Sequence, residues 1–185
     1  MTRKRSFPPV VGRAPRVLIL GSLPGEASLK LGQYYGHPQN RFWELLGAAL
    51  GEDLRALPYS RRLTRLKKRG VALWDVVAEA NRLGSLDSAI RDESPNLVLA
   101  FIRRTGVRAV FFNGRKAAES FRRHFSTPPD GVASALLPSS SPAHASLSWP
   151  KKLAAWRRIA DYLEAEITQR PSGSWRDSRA VPSGR

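Results

Sequence analysis

Cysteine is absent from the 185 residues, which excludes disulfides and any iron–sulfur or zinc site held by thiolates. Histidine is scarce, with only His37, His124 and His144, so no metal centre is expected. No apolar run approaches the roughly 18 residues of a membrane span. The basic start, Met1–Arg5, is not followed by the apolar core of a signal peptide. The expectation is a soluble cytoplasmic monomer with no membrane, metal or cofactor. Acidic residues are also few, 15 Asp+Glu against 31 Lys+Arg, giving a formal net charge of +16. Such an excess favours a polyanionic partner, because neutralising phosphates releases condensed counterions. A cationic surface that serves solubility alone is the alternative.

The length fits one domain with a substantial core, and the 42% hydrophobic content is ordinary for a globular chain. Residues 1–14 are basic and carry Pro8 and Pro9, and are read as a flexible arm. Residues 15–170 form the domain, and 171–185, rich in Ser, Gly, Pro and Arg, a disordered basic tail. Within the domain, Val17–Leu20, Val71–Trp74, Ala109–Phe112 and Ala133–Leu137 read as four short strands. The first three are near-continuously apolar, as strands buried on both faces are. Helical spacing covers Asn40–Leu50, Ser60–Lys68, Asn96–Thr105, Arg115–His124 and Pro150–Ile167. The alternation predicts an α/β protein whose parallel sheet is covered by helices on both faces. Ligands of such folds sit beyond the carboxyl ends of the strands.

The segments with chemistry fall at those ends. Gly21-Ser22-Leu23-Pro24-Gly25 allows a sharp turn and close approach to a ligand, or simply a tight turn. It lacks the Gly-Lys-Ser/Thr of a P-loop. Tyr34–Trp43 offers Tyr35 for stacking on a base, then His37-Pro38-Gln39-Asn40, where Asn40 either caps the next helix or acts in a site. Asp75, at the end of the second strand, can accept from ring N–H groups, hold a water, or cap a helix. Asn113-Gly114-Arg115-Lys116 can contact phosphate at a helix start, or be a solvated turn. Ser139-Ser140-Ser141-Pro142-Ala143-His144 is a stiff, small-residue loop that DNA could approach closely.

Together these segments resemble the uracil-DNA glycosylase superfamily, in particular family six, the hypoxanthine-DNA glycosylase (DNA-deoxyinosine glycosylase) group. The likeness runs from about Arg16 to Ile167, and His37-Pro38-Gln39-Asn40-Arg41-Phe42-Trp43 is also similar to the mismatch-specific branch. It implies a three-layer α/β/α sandwich around a four-stranded parallel sheet. It further implies a monofunctional glycosylase that excises deaminated bases (uracil, hypoxanthine or both) from DNA after the base leaves the stack. On that resemblance Gly21–Gly25, Tyr35 and Asp75 hold the base, and Asn40 and Ser139 are catalytic. His37, Asn113, Arg115, Ser140, Ser141, Pro142 and His144 contact DNA.

Two departures stand out. Leu23 occupies a place where many relatives carry Asp or Asn, so the water-orienting role moves to Asn40. Ser139 stands where some carry His or Asn. Asp75 aligns with an Asn that reads uracil, and as an acceptor-only group it would suit a ring N–H. The rival from another class is a non-catalytic reader of damaged or abasic DNA, which the apolar Leu23 would favour.

Overall fold

A computed structural model describes residues 3–143 and 147–164. In chain order the elements are β1 (Arg3–Arg5), β2 (Val17–Gly21), α1 (Glu26–Leu31), α2 (Phe42–Leu50), α3 (Tyr59–Arg69), β3 (Val71–Asp75), β4 (Val77–Arg82), β5 (Ile90–Pro95), α4 (Val98–Thr105), β6 (Ala109–Asn113), α5 (Arg115–Phe125), β7 (Ala133–Leu137) and α6 (Trp149–Glu164). The four expected strands form one parallel sheet in the order β3-β2-β6-β7.

Alternation along these strands builds the three layers. Val17, Ile19, Val71, Leu73 and Phe111 pack against Phe42, Leu45 and Leu46 of α2, Leu66 of α3 and Trp156 and Ile159 of α6. The residues between them, Leu18, Leu20, Ala72, Val110 and Phe112, face Val98, Phe101 and Ile102 of α4 and Ala117 and Phe121 of α5. Successive strand side chains point to opposite faces, so a strand apolar at every position needs helices on both. The fold is the α/β/α sandwich the sequence implied.

A second sheet was not expected. β1, β4 and β5 pair antiparallel in the order β1-β4-β5, with bulges in the β4–β5 ladder. Its small core is Leu23, Val77, Ala80 and Ile90. One residue, Val76, separates it from the parallel sheet, and the Val76 and Val77 amides donate to the carbonyls of Gly21 and Ser22 (2.9 and 3.1 Å).

The flexible arm expected at residues 1–14 is therefore corrected. Arg3–Arg5 is a strand on β4, and Val10 bridges to Leu73 of β3 through two backbone bonds of 2.9 Å. A basic, Pro-containing segment has few apolar contacts to advertise, yet here Lys4 is buried with its amine on Glu26 Oε1 (3.0 Å) and Gly84 O (2.5 Å). The expected tail, the helix beyond Glu164 and His144 lie outside the described residues.

Candidate active site

Three of the four parallel strands end on a candidate site residue: β2 at Gly21, β3 at Asp75 and β6 at Asn113. Gly21 pairs in register with Asp75. A Cβ on Gly21 would lie 2.5 Å from Asp75 Oδ1 and 3.0 Å from Tyr35 Oη, so only glycine lets carboxyl and phenol converge there. Beyond the strand ends opens a cleft of about 680 Å³, lined by Gly21–Gly25, Tyr35, Asn40, Asp75 and the Ser139–Ala143 loop, among others.

The floor is apolar-walled and polar at its base. Tyr35, at φ 55°, lays its ring on Phe42 at 3.6 Å between centroids and 8° between planes. Tyr34 fixes this turn from behind: its hydroxyl reaches the carbonyls of Phe7 and Pro8 (3.2 Å each), its amide donates to Tyr59 Oη (2.9 Å), and its carbonyl accepts from Trp43 Nε1 (3.2 Å). Tyr35 Oη and Asp75 Oδ2 are buried without a hydrogen-bond partner. Burial pushes the Asp75 carboxyl up to about 8, with the Asp87 charge adding to the rise and Arg82 opposing it. Burial and the Asp75 charge raise the Tyr35 phenol further above its ordinary value. Where the sequence offered an acceptor-only Asp75, burial favours the protonated acid, which has one donor and one acceptor.

Asn40 lines the cleft, and its Oδ1 accepts the Phe42 amide (3.0 Å) at the start of α2. The cap position itself falls to Arg41, so the expected N-cap is corrected: Asn40 stands one residue earlier and closes an Asx turn onto Phe42. The second lone pair of that oxygen remains for another donor. His37 is exposed at the rim and accepts from the Gln39 amide (3.2 Å) through Nδ1. Arg115 is exposed and also lines the cleft. Lys116, by contrast, is paired with Glu93 (3.0 Å), which also accepts from Ser120 (2.6 Å) and Arg123.

Two residues expected to contact DNA, Asn113 and Ser140, line the cleft and are bonded to each other. Ser140 is 1% exposed, its hydroxyl accepts from Asn113 Nδ2 and its amide donates to Asn113 Oδ1, both at 2.9 Å. That reciprocal pair fastens the loop after β7 to the end of β6. The Ser140 carbonyl meanwhile accepts the Arg41 amide (3.0 Å) and so ties in the Asn40 turn. Gly114, at φ +94°, would place a Cβ 3.0 Å from that of Ser139, and lets the loop close down. Ser139 Oγ accepts from the Ser141 amide (3.2 Å), and Pro142 and Ala143 are exposed.

The wall opposite this loop went unread in the sequence. Arg82, buried, donates to the carbonyls of Leu23 (2.7 Å), Pro24 and Leu86 (3.3 Å each) and Ser85, and pairs with Asp87 Oδ1 (3.2 Å). Ser22 Oγ donates to the same Asp87 oxygen (2.7 Å). Leu23 itself turns inward onto Val77, Ala80 and Ile90, so its side chain serves packing. No periodicity marks Arg82 or Asp87; a Gly-Ser step between charged segments was the sole cue. Among the described residues no three His, Asp or Glu side chains gather as metal ligands, and no helix is long and apolar enough to cross a membrane.

Residues 8–164 match the family described as the Uracil DNA glycosylase superfamily. A protein named hypoxanthine DNA glycosylase from Methanosarcina barkeri is 44% identical over 118 residues, 63% of this chain and 75% of that one. Its namesake from Methanosarcina acetivorans is 44% identical over 117 residues, 63% and 74% of the two chains. The solution NMR structure of a candidate uracil DNA glycosylase from Methanosarcina acetivorans aligns with a TM-score of 0.74 and 38% identity, covering 89% of this chain and 100% of that chain.

Proposed function

The chain belongs to the uracil DNA glycosylase superfamily, and from that premise we propose that it is a monofunctional DNA glycosylase, working as a cytoplasmic monomer, that hydrolyses the N-glycosidic bond of deaminated bases and leaves an abasic site. The cleft floor carries this reading: Tyr35 Oη and Asp75 Oδ2 are buried and unpartnered beside a flat aromatic stack. An unmade hydrogen bond on a buried group costs roughly 1–3 kcal/mol, and a ring whose edge carries N–H and C=O groups would satisfy the Asp75 carboxyl while its face covers the Tyr35 ring. Uracil and hypoxanthine are such rings.

The extruded base stacks on the Tyr35 face that Phe42 leaves uncovered, with its polar edge toward Asp75. Gly21 and Ser22 bring backbone against it. As the bond between C1′ and the base stretches, its electron pair leaves with the base and positive charge grows on the sugar. Asn40 uses the free lone pair of Oδ1 to hold a water, whose oxygen bonds to C1′ while its proton goes to the departing base. An amide is a poor base, so positioning and electrostatics supply the rate. Ser139 contacts the leaving base, while Arg115 and His37, with Ser141 and Pro142, meet the DNA backbone at the rim.

Oligonucleotides bearing uracil or deoxyinosine, incubated with the protein and then treated with hot alkali, test the activity. Strand scission at the deaminated position is expected; an uncut strand would leave only a DNA reader. The Asn40→Ala protein should lose roughly 100-fold or more of its excision rate and still bind abasic DNA. Retained excision in that variant would move the water to another group.

A further inference from the structure

The cleft accounts for little of the net charge of +16. Between its two lips, the Ser139–Ala143 loop and the β4–β5 hairpin turn, the lining holds Arg82, Arg91, Arg115 and Lys116 against Asp75, Asp87 and Glu119. Arg82 and Lys116 are engaged by Asp87 and Glu93. That leaves Arg91 and Arg115 as the cleft cations without an acidic partner among the described residues.

The opposite end of the parallel sheet differs. There the strands begin, with Val17 in register with both Val71 and Ala109. α3 ends in Lys67, Lys68 and Arg69 just before β3, and α4 carries Arg103 and Arg104 in its last turn, shortly before β6. The two helices pack on opposite faces of the sheet, so their last turns flank this end from both sides. Backbone bonds join the segments between them: the Arg16 amide donates to Gly70 O (2.7 Å) and the Arg108 amide to Arg16 O (2.8 Å). A Cβ on Gly12 would lie 2.7 Å from the Lys67 carbonyl oxygen, so the chain that carries Arg13 rests directly on the end of α3. Arg13, Lys67, Lys68, Arg103, Arg104 and Arg108 are all exposed. The first five have no acidic partner among the described residues. Acids at this end are fewer: Glu52 is shared by Arg65 and Arg69 (3.0 and 3.6 Å), Asp130 precedes β7 at the sheet's far edge, and Asp161 and Glu164 lie in the last turns of α6.

Cations in a last helical turn complement the helix dipole, which accounts for the α3 and α4 residues one by one. It does not account for Arg13 and Arg108, which stand on loops and complete the patch. Gathered like charges weaken the fold by self-repulsion; a bound polyanion relieves that and releases its own counterions. The patch and the cleft lie at opposite ends of the same strands. Duplex DNA is stiff over about 150 base pairs, so a helix seated on the cleft does not bend round to the patch. We propose that the end where the strands begin holds a second, undamaged DNA segment, so that the protein bridges two duplexes, one in the cleft and one across Arg13 and the ends of α3 and α4. This rests on the DNA-directed reading of the cleft and adds to it a contact made to phosphates alone, indifferent to sequence.

The test fixes a uracil-bearing duplex to beads, adds the full chain, and measures retention of a second, fluorescent, undamaged duplex. The parent should retain it, and retention should fall steeply as salt rises. Arg13→Gln/Lys68→Gln/Arg104→Gln should lose roughly tenfold or more of that retention, with a log–log salt slope shallower by roughly 3. Its single-turnover excision from the fixed duplex, at saturating protein, should stay within about twofold of the parent, which also certifies its fold. Arg61→Gln/Arg157→Gln/Arg158→Gln removes the same charge from exposed positions on α3 and α6 and should still retain the second duplex. Equal losses in the two variants would reduce the effect to net charge and overturn the proposal. So would undiminished retention in the first variant, no second duplex held by the parent, or capture of phosphatidylserine vesicles in its place. Bridging without any excision would remove the glycosylase reading and leave this one standing.

Discussion

The two lips of the cleft are held by opposite means. The Ser139–Ala143 lip hangs on neutral amide geometry, Asn113 clasping Ser140 through two hydrogen bonds at a strand end. The hairpin lip is held by two buried cations, Lys4 and Arg82, that collect carbonyl oxygens from loops distant in sequence. A neutral clasp fixes one position and one register. A guanidinium with five donors ties several strands of chain to one point. In this molecule it joins the motif loop at Leu23-Pro24 to the turn at Ser85-Leu86, so the base-facing and solvent-facing parts share an anchor.

Removing each anchor separates the two designs. Arg82→Ala should be the most damaging, leaving Asp87 without its buried partner and several carbonyls bare. A loss of about 3–5 kcal/mol is expected in chemical denaturation, together with most excision on single- and double-stranded DNA alike. Arg82→Lys, with three donors in place of a planar fork, should fall between. Asn113→Ala should cost about 1–3 kcal/mol, and the denaturant midpoint would show it. If Asn113→Ala proved worse than Arg82→Ala, the hairpin lip would not depend on its cation.

Asp75 gives a pH-dependent comparison between them. Its carboxyl is pushed up to about 8 in the fold, from 3.8 in the free side chain. The folded protein therefore holds a proton that the unfolded chain has already released. The stability associated with it is full below about pH 4, drains as pH rises, and is gone above about pH 8. Asp75→Asn carries no such charge, so its melting temperature relative to the parent should climb between pH 5 and pH 9. A constant difference would mean that the carboxyl is already ionised in the fold. Smallest of all, Ser139→Ala should change stability by no more than about 0.5 kcal/mol, since its hydroxyl accepts one 3.2 Å bond. Its excision rate should still fall severalfold if it touches the leaving base.

The parallel sheet was legible because strands covered on both faces must be apolar throughout, and Val17–Leu20 or Ala109–Phe112 can hardly be anything else. The strands were read one residue short, at Leu20, Trp74 and Phe112. The next residue in each case, Gly21, Asp75 or Asn113, looks like the start of a turn although it closes the ladder. The cleft residues were found for the same reason, since strand ends are where such folds place ligands. The second sheet was illegible: Val77–Arg82 and Ile90–Pro95 mix charges without clean alternation, bulges break their register, and Asp92 takes φ 50°. Beside its small core it is tied down by side chain-to-carbonyl bonds, which leave no period in the chain. Asn113 and Ser140 show a pairing that no spacing in the chain announces. Polar residues at a strand end invite a ligand, and here they satisfied each other.

Val76, the lone residue between the two sheets, has a consequence for how this chain can change. Strand side chains alternate with a period of two, so one residue inserted beside Val76 would invert every position of β4. Ala80 and the Arg82 anchor, two residues apart on one face, would turn outward while Asp75 stayed where it is. Evolution can lengthen the hairpin at its tip, or trim it there, but the joint between the sheets tolerates no spacing change. The hairpin turn at the rim of the cleft is free to vary in reach, not in phase.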